Sequence, residues 1–235
     1  MCIRDRNRRP QLKKSFSMNP KEKAAQYTFE KIEKKFHKDF ILGIGTGSTT
    51  NCFIEILKEK KPEMKCFVSS SSASSDLLKD AGYIDAELND VGGPDIYVDG
   101  ADEANSKFEL IKGGGGALTR EKIIASASQK FICIVDETKV VDRFGKFPLA
   151  VEVIPMARSY VSRQIVAMGG RPNYRIGFIT DNGNQIIDVL NLNFDVPYET
   201  EGRINKIPGV VENGIFSARK ADCIVVSDGT KTYEL

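Results

Sequence analysis

Phe40-Ile41-Leu42-Gly43-Ile44-Gly45-Thr46-Gly47-Ser48-Thr49-Thr50 is the stretch on which the fold turns. A short apolar run broken by one glycine reads as a buried strand, and the Gly/Ser/Thr segment after it as a loop. Asn51–Lys60 then carries Phe53, Ile54, Ile56 and Leu57 at helical spacing. The same alternation extends outward in both directions. Upstream, Asn19-Pro20 supplies an N-cap with Pro at the first helical position, and Ala24, Ala25, Tyr27, Phe29, Ile32 and Phe36 form one apolar face. Downstream come a strand at Cys66-Phe67-Val68, a serine run at Ser69–Ser72, a helix over Ser75–Ala81, a strand at Ile96-Tyr97-Val98, a helix over 122–128 and a strand over Phe131–Val135. Strands alternating with helices predict a parallel sheet covered by helices. Ligands of such sheets sit beyond the carboxyl ends of the strands, where the segments 45–50 and 99–103 fall.

The second half changes character. Val151–Ile154 reads as a strand, Ala157–Met168 as a helix, and Tyr174–Thr180 and Gln185–Val189 as strands joined across Asp181-Asn182-Gly183-Asn184, with Asn-Gly as a tight-hairpin signal. Glu199–Lys206 reads as a helix and Val210–Phe216 as a strand. The order β-α-β-β-α-β is that of a ferredoxin-like unit. Cys223-Ile224-Val225-Val226 has the composition of a buried strand that could rejoin the first sheet. The expectation is an α/β chain with a Rossmann-like catalytic domain over 18–147, rejoined by 220–235, and a smaller ferredoxin-like α+β domain over 148–219.

Composition removes several classes of function. Among 235 residues there is one histidine, His37, set in a lysine-rich stretch, so multi-histidine metal sites are out and a histidine relay has little to stand on. The five cysteines form no C-x-x-C pair, which argues for reduced, buried thiols in a cytoplasmic protein. No apolar run approaches the roughly 18–20 residues of a membrane span. The net charge of +2 is uneven. Residues 1–17 hold Arg4, Arg6, Arg8, Arg9, Lys13 and Lys14 against Asp5 alone, which leaves the remainder mildly acidic and poorly suited to a large nucleic-acid face. The basic head lacks the apolar core of a secretory signal and reads as a disordered extension or a start-site error.

Three loops carry chemistry-bearing residues. Gly43–Thr50 can turn tightly, aim backbone N–H groups at an anion and add a helix N-terminus and hydroxyls, which suits a phosphate; a plain capped turn is the alternative. It is neither a Walker A loop nor a dinucleotide fingerprint. Asp99-Gly100-Ala101-Asp102-Glu103 crowds three carboxylates into five residues. Sugar-hydroxyl binding, acid/base work, a divalent metal or a solvated acidic turn would each account for it. Lys112-Gly113-Gly114-Gly115-Gly116 leads into Glu121 at the start of a helix. Lysine can neutralise an oxyanion and a carboxylate can move a proton on carbon, whereas a hinge with a surface glutamate is the bland reading. Together the loops suggest proton transfer on a phosphorylated polyol.

These stretches, with Lys130–Ile134, Gly145–Leu149, Val151–Pro155 and Ile207–Val211, resemble the signatures of the ribose-5-phosphate isomerase A family from about Met18 onward. The resemblance implies interconversion of D-ribose 5-phosphate and D-ribulose 5-phosphate through an enediolate, in the non-oxidative pentose phosphate pathway. It implies that Thr46, Gly47, Ser48 and Thr49 hold the phosphate end. Asp99, Gly100, Ala101 and Asp102 would line the sugar site, with Asp99 suited to proton transfer on hydroxyls or ring opening. Lys112, Gly113, Gly114 and Gly115 would close the site, with Lys112 steadying the enediolate oxygen. Glu121 would shuttle the proton, and Lys139 would be a further substrate ligand. No metal or organic cofactor, no nucleic acid and no membrane is implied, and a homodimer or homotetramer is. Gly116 stands where many members carry Ala, an exchange expected to leave the chemistry alone. Within the same fold group, an amino-sugar phosphate deaminase would rely on a histidine, which this chain has only at His37, and a CoA transferase would use glutamate as a nucleophile. A sugar-phosphate sensor would need a DNA-binding region that 17 residues cannot make.

Overall fold

The computed structural model describes residues 19–235, so the reading of 1–17 lies outside the described residues. Along the chain run α1 (Pro20–Ile32), β1 (Ile41–Ile44), α2 (Ser48–Lys60), β2 (Cys66–Ser69), α3 (Ser72–Asp80), β3 (Ile96–Asp99), β4 (Glu103–Ala104), β5 (Leu110–Ile111), α4 (Leu118–Ala127) and β6 (Lys130–Asp136). There follow β7 (Leu149–Val153), α5 (Arg158–Ala167), β8 (Arg171–Tyr174), β9 (Gln185–Leu190), α6 (Pro197–Asn205), β10 (Val210–Asn213), β11 (Ile215–Phe216), β12 (Cys223–Ser227) and β13 (Thr232–Glu234).

Six strands form one sheet in the order β13-β12-β6-β3-β1-β2. All neighbours are parallel except the edge pair β12–β13. The five parallel strands are mostly apolar because both faces are covered. In β6, Ile132 and Ile134 join Phe29, Ile32, Phe53 and Leu57 on one side, and Phe131, Cys133 and Val135 join Tyr97, Leu110, Ile124 and Phe216 on the other. The chain leaves β1 for β2 on one side and returns to β3 on the other. The carboxyl ends of β1 and β3 are therefore the switch point of the sheet, where a crevice opens. The final apolar strand does rejoin this sheet, as β12 beside β6.

The second sheet has the order β10-β7-β9-β8, all antiparallel, with α5 and α6 in a ferredoxin-like succession. Two expected strands differ. Of the strand expected over Tyr174–Thr180 only Tyr174 is in one: β8 lies upstream, at Arg171–Tyr174. The Asn-Gly turn is present, with Thr180 and Asn184 bonded backbone to backbone, but it tips a ten-residue excursion rather than a tight hairpin. Gly177 at φ +75° turns the chain out of the sheet, and the Arg175 side chain bonds elsewhere. The segment expected as one strand, Val210–Phe216, is two. At Gly214 the backbone passes from one sheet to another: its N–H donates to Ala150 O (2.8 Å) and its carbonyl accepts from Lys112 N (2.9 Å). β11 then pairs with β5 in a small third sheet with β4, which local pattern does not reveal. No helix among the described residues is long and apolar enough to cross a membrane.

Candidate active site

The loop after β1 is shaped by the end of β3. Gly45 N–H donates to Val98 O (2.9 Å), and Thr46 N–H to Asp99 Oδ1 (3.1 Å). The approach is so close that a Cβ on Gly45 would stand 1.9 Å from the Asp99 carboxyl carbon. Gly45→Ala is therefore expected to lower stability by about 3 kcal/mol or more, read from the denaturation midpoint, because the obstructing atoms belong to a buried, fully engaged carboxylate. Ser48 opens α2, and Thr46 Oγ1 shares a hydrogen with Ser70 Oγ (2.8 Å), which gives the serine run a bracing role.

Asp99 is wholly buried. Its Oδ1 accepts from Thr46 N and Gly100 N (2.7 Å); its Oδ2 accepts from Tyr97 OH and lies 2.8 Å from Lys112 Nζ. The crowding of Asp99, Asp102 and Glu103 is resolved by three different partners. Asp99 faces Lys112, Asp102 accepts from Gly114 N (2.8 Å), and Glu103 accepts from Gly145 N (2.9 Å) and Phe147 N (2.8 Å), turned away from the cleft.

Lys112 Nζ also donates to Gly100 O (2.6 Å) and stands 3.3 Å from Glu121 Oε2. That last distance is within ion-pair range, yet Oε2 is buried without an aligned hydrogen bond. Burial works against the Lys112 ammonium, but Asp99 and Glu121 outweigh it and hold its pKa above the ordinary value. Glu121 is pushed the other way. Burial raises its carboxyl to about 8, with Lys112 pulling it down and the Asp99 charge adding to the rise. The site thus holds one ammonium committed to its charge and one carboxyl poised between forms.

Three residues of α4 fix Glu121 in place. Thr119 Oγ1 donates to the buried Glu152, Arg120 Nε donates to Asn182 Oδ1 (2.8 Å), and Lys122 Nζ reaches Glu201 (2.8 Å), Glu212 (2.9 Å) and the carbonyls of Asn213 (2.8 Å) and Ile215 (2.7 Å). The helix that carries Glu121 is therefore bolted to the second sheet and α6.

A cleft of about 200 Å³ collects thirteen of the fourteen residues singled out in the sequence: Thr46, Gly47, Ser48, Thr49, Gly100, Ala101, Asp102, Lys112, Gly113, Gly114, Gly115, Glu121 and Lys139. Asp99 is the exception. It lies one layer below the wall, behind Lys112. Lys21 and Thr50 complete the lining; Thr50 ends the Gly43–Thr50 loop already singled out, whereas Lys21 was missed. Lys21 Nζ donates to Ser48 Oγ (2.9 Å) from the first turn of α1. Its only signal in the sequence is a lysine beside the Asn19-Pro20 cap, far from the loop that it serves. A larger cleft, about 490 Å³, opens along β2 and α3, but its Asp76 and Lys79 are exposed and it holds no buried base. Among the described residues no group of three or more His, Cys, Asp or Glu is placed to hold a metal ion.

Fold and site define a class: an α/β protein whose cleft, at the switch point of a parallel sheet, sets one buried carboxyl beside a fixed ammonium and is walled by the Gly/Ser/Thr loop that opens α2. Residues 66–230 match the family model described as ribose 5-phosphate isomerase A (phosphoriboisomerase A). A curated ribose-5-phosphate isomerase A of Legionella pneumophila (strain Lens) is 56% identical over 92% of this chain and 98% of its own. The crystal structure of the Neisseria gonorrhoeae ribose 5 phosphate isomerase A superposes with a TM-score of 0.86 at 47% identity, covering 92% of this chain and 96% of that one. A D-ribose-5-phosphate isomerase solved with phospho-erythronic acid gives 0.86 at 37% identity, over 93% and 99%. The chain belongs to the ribose 5-phosphate isomerase A family.

Proposed function

We propose that this chain interconverts D-ribose 5-phosphate and D-ribulose 5-phosphate through an enediolate, as a step of the non-oxidative pentose phosphate pathway. The observation that carries this reading is the Glu121 carboxyl, which is buried on the cleft wall with one oxygen unpartnered and Lys112 Nζ 3.3 Å away. A base of raised pKa in a dry site fits proton abstraction from carbon near neutral pH. The phosphate is assigned to the N–H groups and hydroxyls of 46–49, flanked by Lys21 and Lys139. Asp102 and the backbone of Gly100 and Ala101 line the sugar. Glu121 takes the proton from C2 of the open aldehyde and returns it to C1, while the hydroxyl proton moves from O2 to O1. Lys112 and the Gly113–Gly115 backbone steady the charge that develops on oxygen. Asp99, wholly buried behind the wall residues that it bonds, is assigned to holding Lys112 charged and aimed rather than to touching the sugar. General-base action of this kind contributes about 10²–10⁴-fold, and charge stabilisation supplies much of the rest.

The reading extends to a cytoplasmic homodimer or homotetramer that needs no metal or organic cofactor and takes neither nucleic acid nor membrane as partner. A coupled assay of ribose 5-phosphate conversion with EDTA present tests it, and absence of turnover in a folded protein would overturn it. In the same assay Lys21→Ala is expected to raise KM by about tenfold or more with a smaller change in kcat, because the lost charge faces the phosphate and not the reacting carbons.

A further inference from the structure

The glycine run 113–116 has no side chains with which to hold its own shape, yet its peptide groups are sharply oriented. The Gly113–Gly114 peptide is fixed on both sides: its N–H, on Gly114, donates to Asp102 (2.8 Å), and its carbonyl, on Gly113, accepts from Gly116 N within the turn (3.0 Å) and from Arg175 Nη1 and Nη2 (each 3.2 Å). The Gly114 carbonyl also accepts from Arg175 Nη1 (3.2 Å). A trans peptide is planar, so its N–H points opposite to its carbonyl. Pulling the Gly114 carbonyl toward Arg175 therefore turns the Gly115 N–H the other way. Gly115 lines the cleft and Arg175 does not, so that other way is toward the cleft. Among the described residues the Gly115 N–H has no protein partner.

Arg175 is itself held. One edge of its guanidinium engages Asp188 of β9, through Nε at 2.9 Å and through Nη2, and its Cζ lies 5.3 Å from the Phe178 ring centroid. Phe178 in turn rests on Gly116: a Cβ there, on a backbone at φ +82°, would stand 2.2 Å from the ring. In this chain glycine at 116 is thus what lets the excursion 175–184 lie against the loop, and the exchange with alanine is not a free one.

Resting on the isomerase reading above, we propose that Arg175 is a positioning residue that sets the Gly115 N–H as a donor to the enediolate oxygen, and that Phe178 on Gly116 keeps the clamp closed. Arg175 never touches substrate. It acts on the transition state by orienting a backbone donor, so its loss falls on kcat and on mimics of the enediolate more than on ground-state binding.

The test uses the full chain with Arg175→Met and Arg175→Lys. The lysine keeps a charge for Asp188 but cannot fork to two carbonyls. Steady-state kinetics are read beside calorimetric binding of 4-phospho-D-erythronate, a planar-carboxylate mimic of the enediolate, and of inorganic phosphate. For Arg175→Met, kcat is expected to fall about tenfold or more with KM within about threefold. Affinity for the aldonate phosphate should fall by a similar factor, with phosphate affinity unchanged. Arg175→Lys should show the same split in smaller degree at wild-type thermal stability, and it decides the matter if the methionine variant does not fold. Wild-type kcat in either folded variant, or equal losses for both ligands, overturns the positioning role. If wild-type protein neither turns over ribose 5-phosphate nor binds the aldonate phosphate, it is the isomerase reading that fails.

Discussion

Glu121→Gln is expected to lose two decades or more of kcat while keeping the fold, the cleft and substrate affinity. The amide matches the carboxyl in shape, so the loss isolates proton transfer. The same substitution is expected to make the protein more stable at neutral pH, and the sign follows from linkage. The Glu121 carboxyl titrates at about 8 in the fold, against 4.5 for an unperturbed one. Between those values the unfolded chain has released a proton that the folded chain retains, so stability falls as pH rises across this window. Removing the titration removes that penalty. The gain should be about 3 kcal/mol at pH 7 and should vanish near pH 4, as read by chemical denaturation of both proteins across pH. In the wild type, kcat/KM should climb with pH up to about 8, since only the ionised carboxyl accepts a proton. A glutamine variant with near-normal turnover would remove Glu121 from the reaction. A variant of unchanged stability at pH 7 would show that the carboxyl is not held in its uncharged form. Loss of activity together with gain of stability is the signature of a residue placed for chemistry at the expense of the fold.

Much of this was legible from local pattern. The runs at 41–44, 66–68, 96–98 and 131–135 carry no charged side chain and do not alternate apolar with polar, the pattern of a sheet buried on both faces. The glycines and carboxylates that follow β1 and β3 fall at strand ends by the same reading. What stayed hidden depends on contacts distant in sequence. Nothing near Lys21 marks it as facing Ser48, 27 residues on. Val210–Phe216 looks like one strand because its side chains do not record that the backbone changes sheets at Gly214. β4 and β5 are two residues each, too short for any period to register. The Asn-Gly turn was visible, but the placement of β8 at Arg171–Tyr174 was not: Arg175 N–H still donates to Ile186 O, and the chain then turns away at Gly177 while the Arg175 side chain reaches Gly113 and Gly114, about 60 residues upstream. The role of Asp99 was likewise open: three neighbouring carboxylates cannot announce which one a lysine thirteen residues away will choose.

Lys112→Met is expected to fail in both respects at once, unlike the glutamine variant. The ammonium is the cation at 2.8 Å from the wholly buried Asp99 and 3.3 Å from Glu121. Removing it leaves Asp99 with its N–H and O–H donors but without a countercharge, and breaking a buried pair from one side costs about 3–5 kcal/mol. Denaturation midpoints should show this at any pH where Asp99 is ionised. Chemistry suffers for two reasons. The developing oxyanion loses its nearest charge, a loss of about 10²–10³-fold or more. The one group that pulls the Glu121 pKa down also disappears, so the surviving activity should move to higher pH rather than merely shrink. Lys112→Arg separates charge from shape: a planar fork cannot reproduce a point charge reaching Asp99, Gly100 O and Glu121 from a site only 3% exposed, so it should restore part of the stability and little of the rate. A methionine variant as stable as the wild type would mean that Asp99 is satisfied by Tyr97, Thr46, Thr50 and Gly100 without a countercharge. One with an unshifted pH profile would mean that the ammonium does not set the ionisation of the base, and the coupling between the two residues would have to be abandoned.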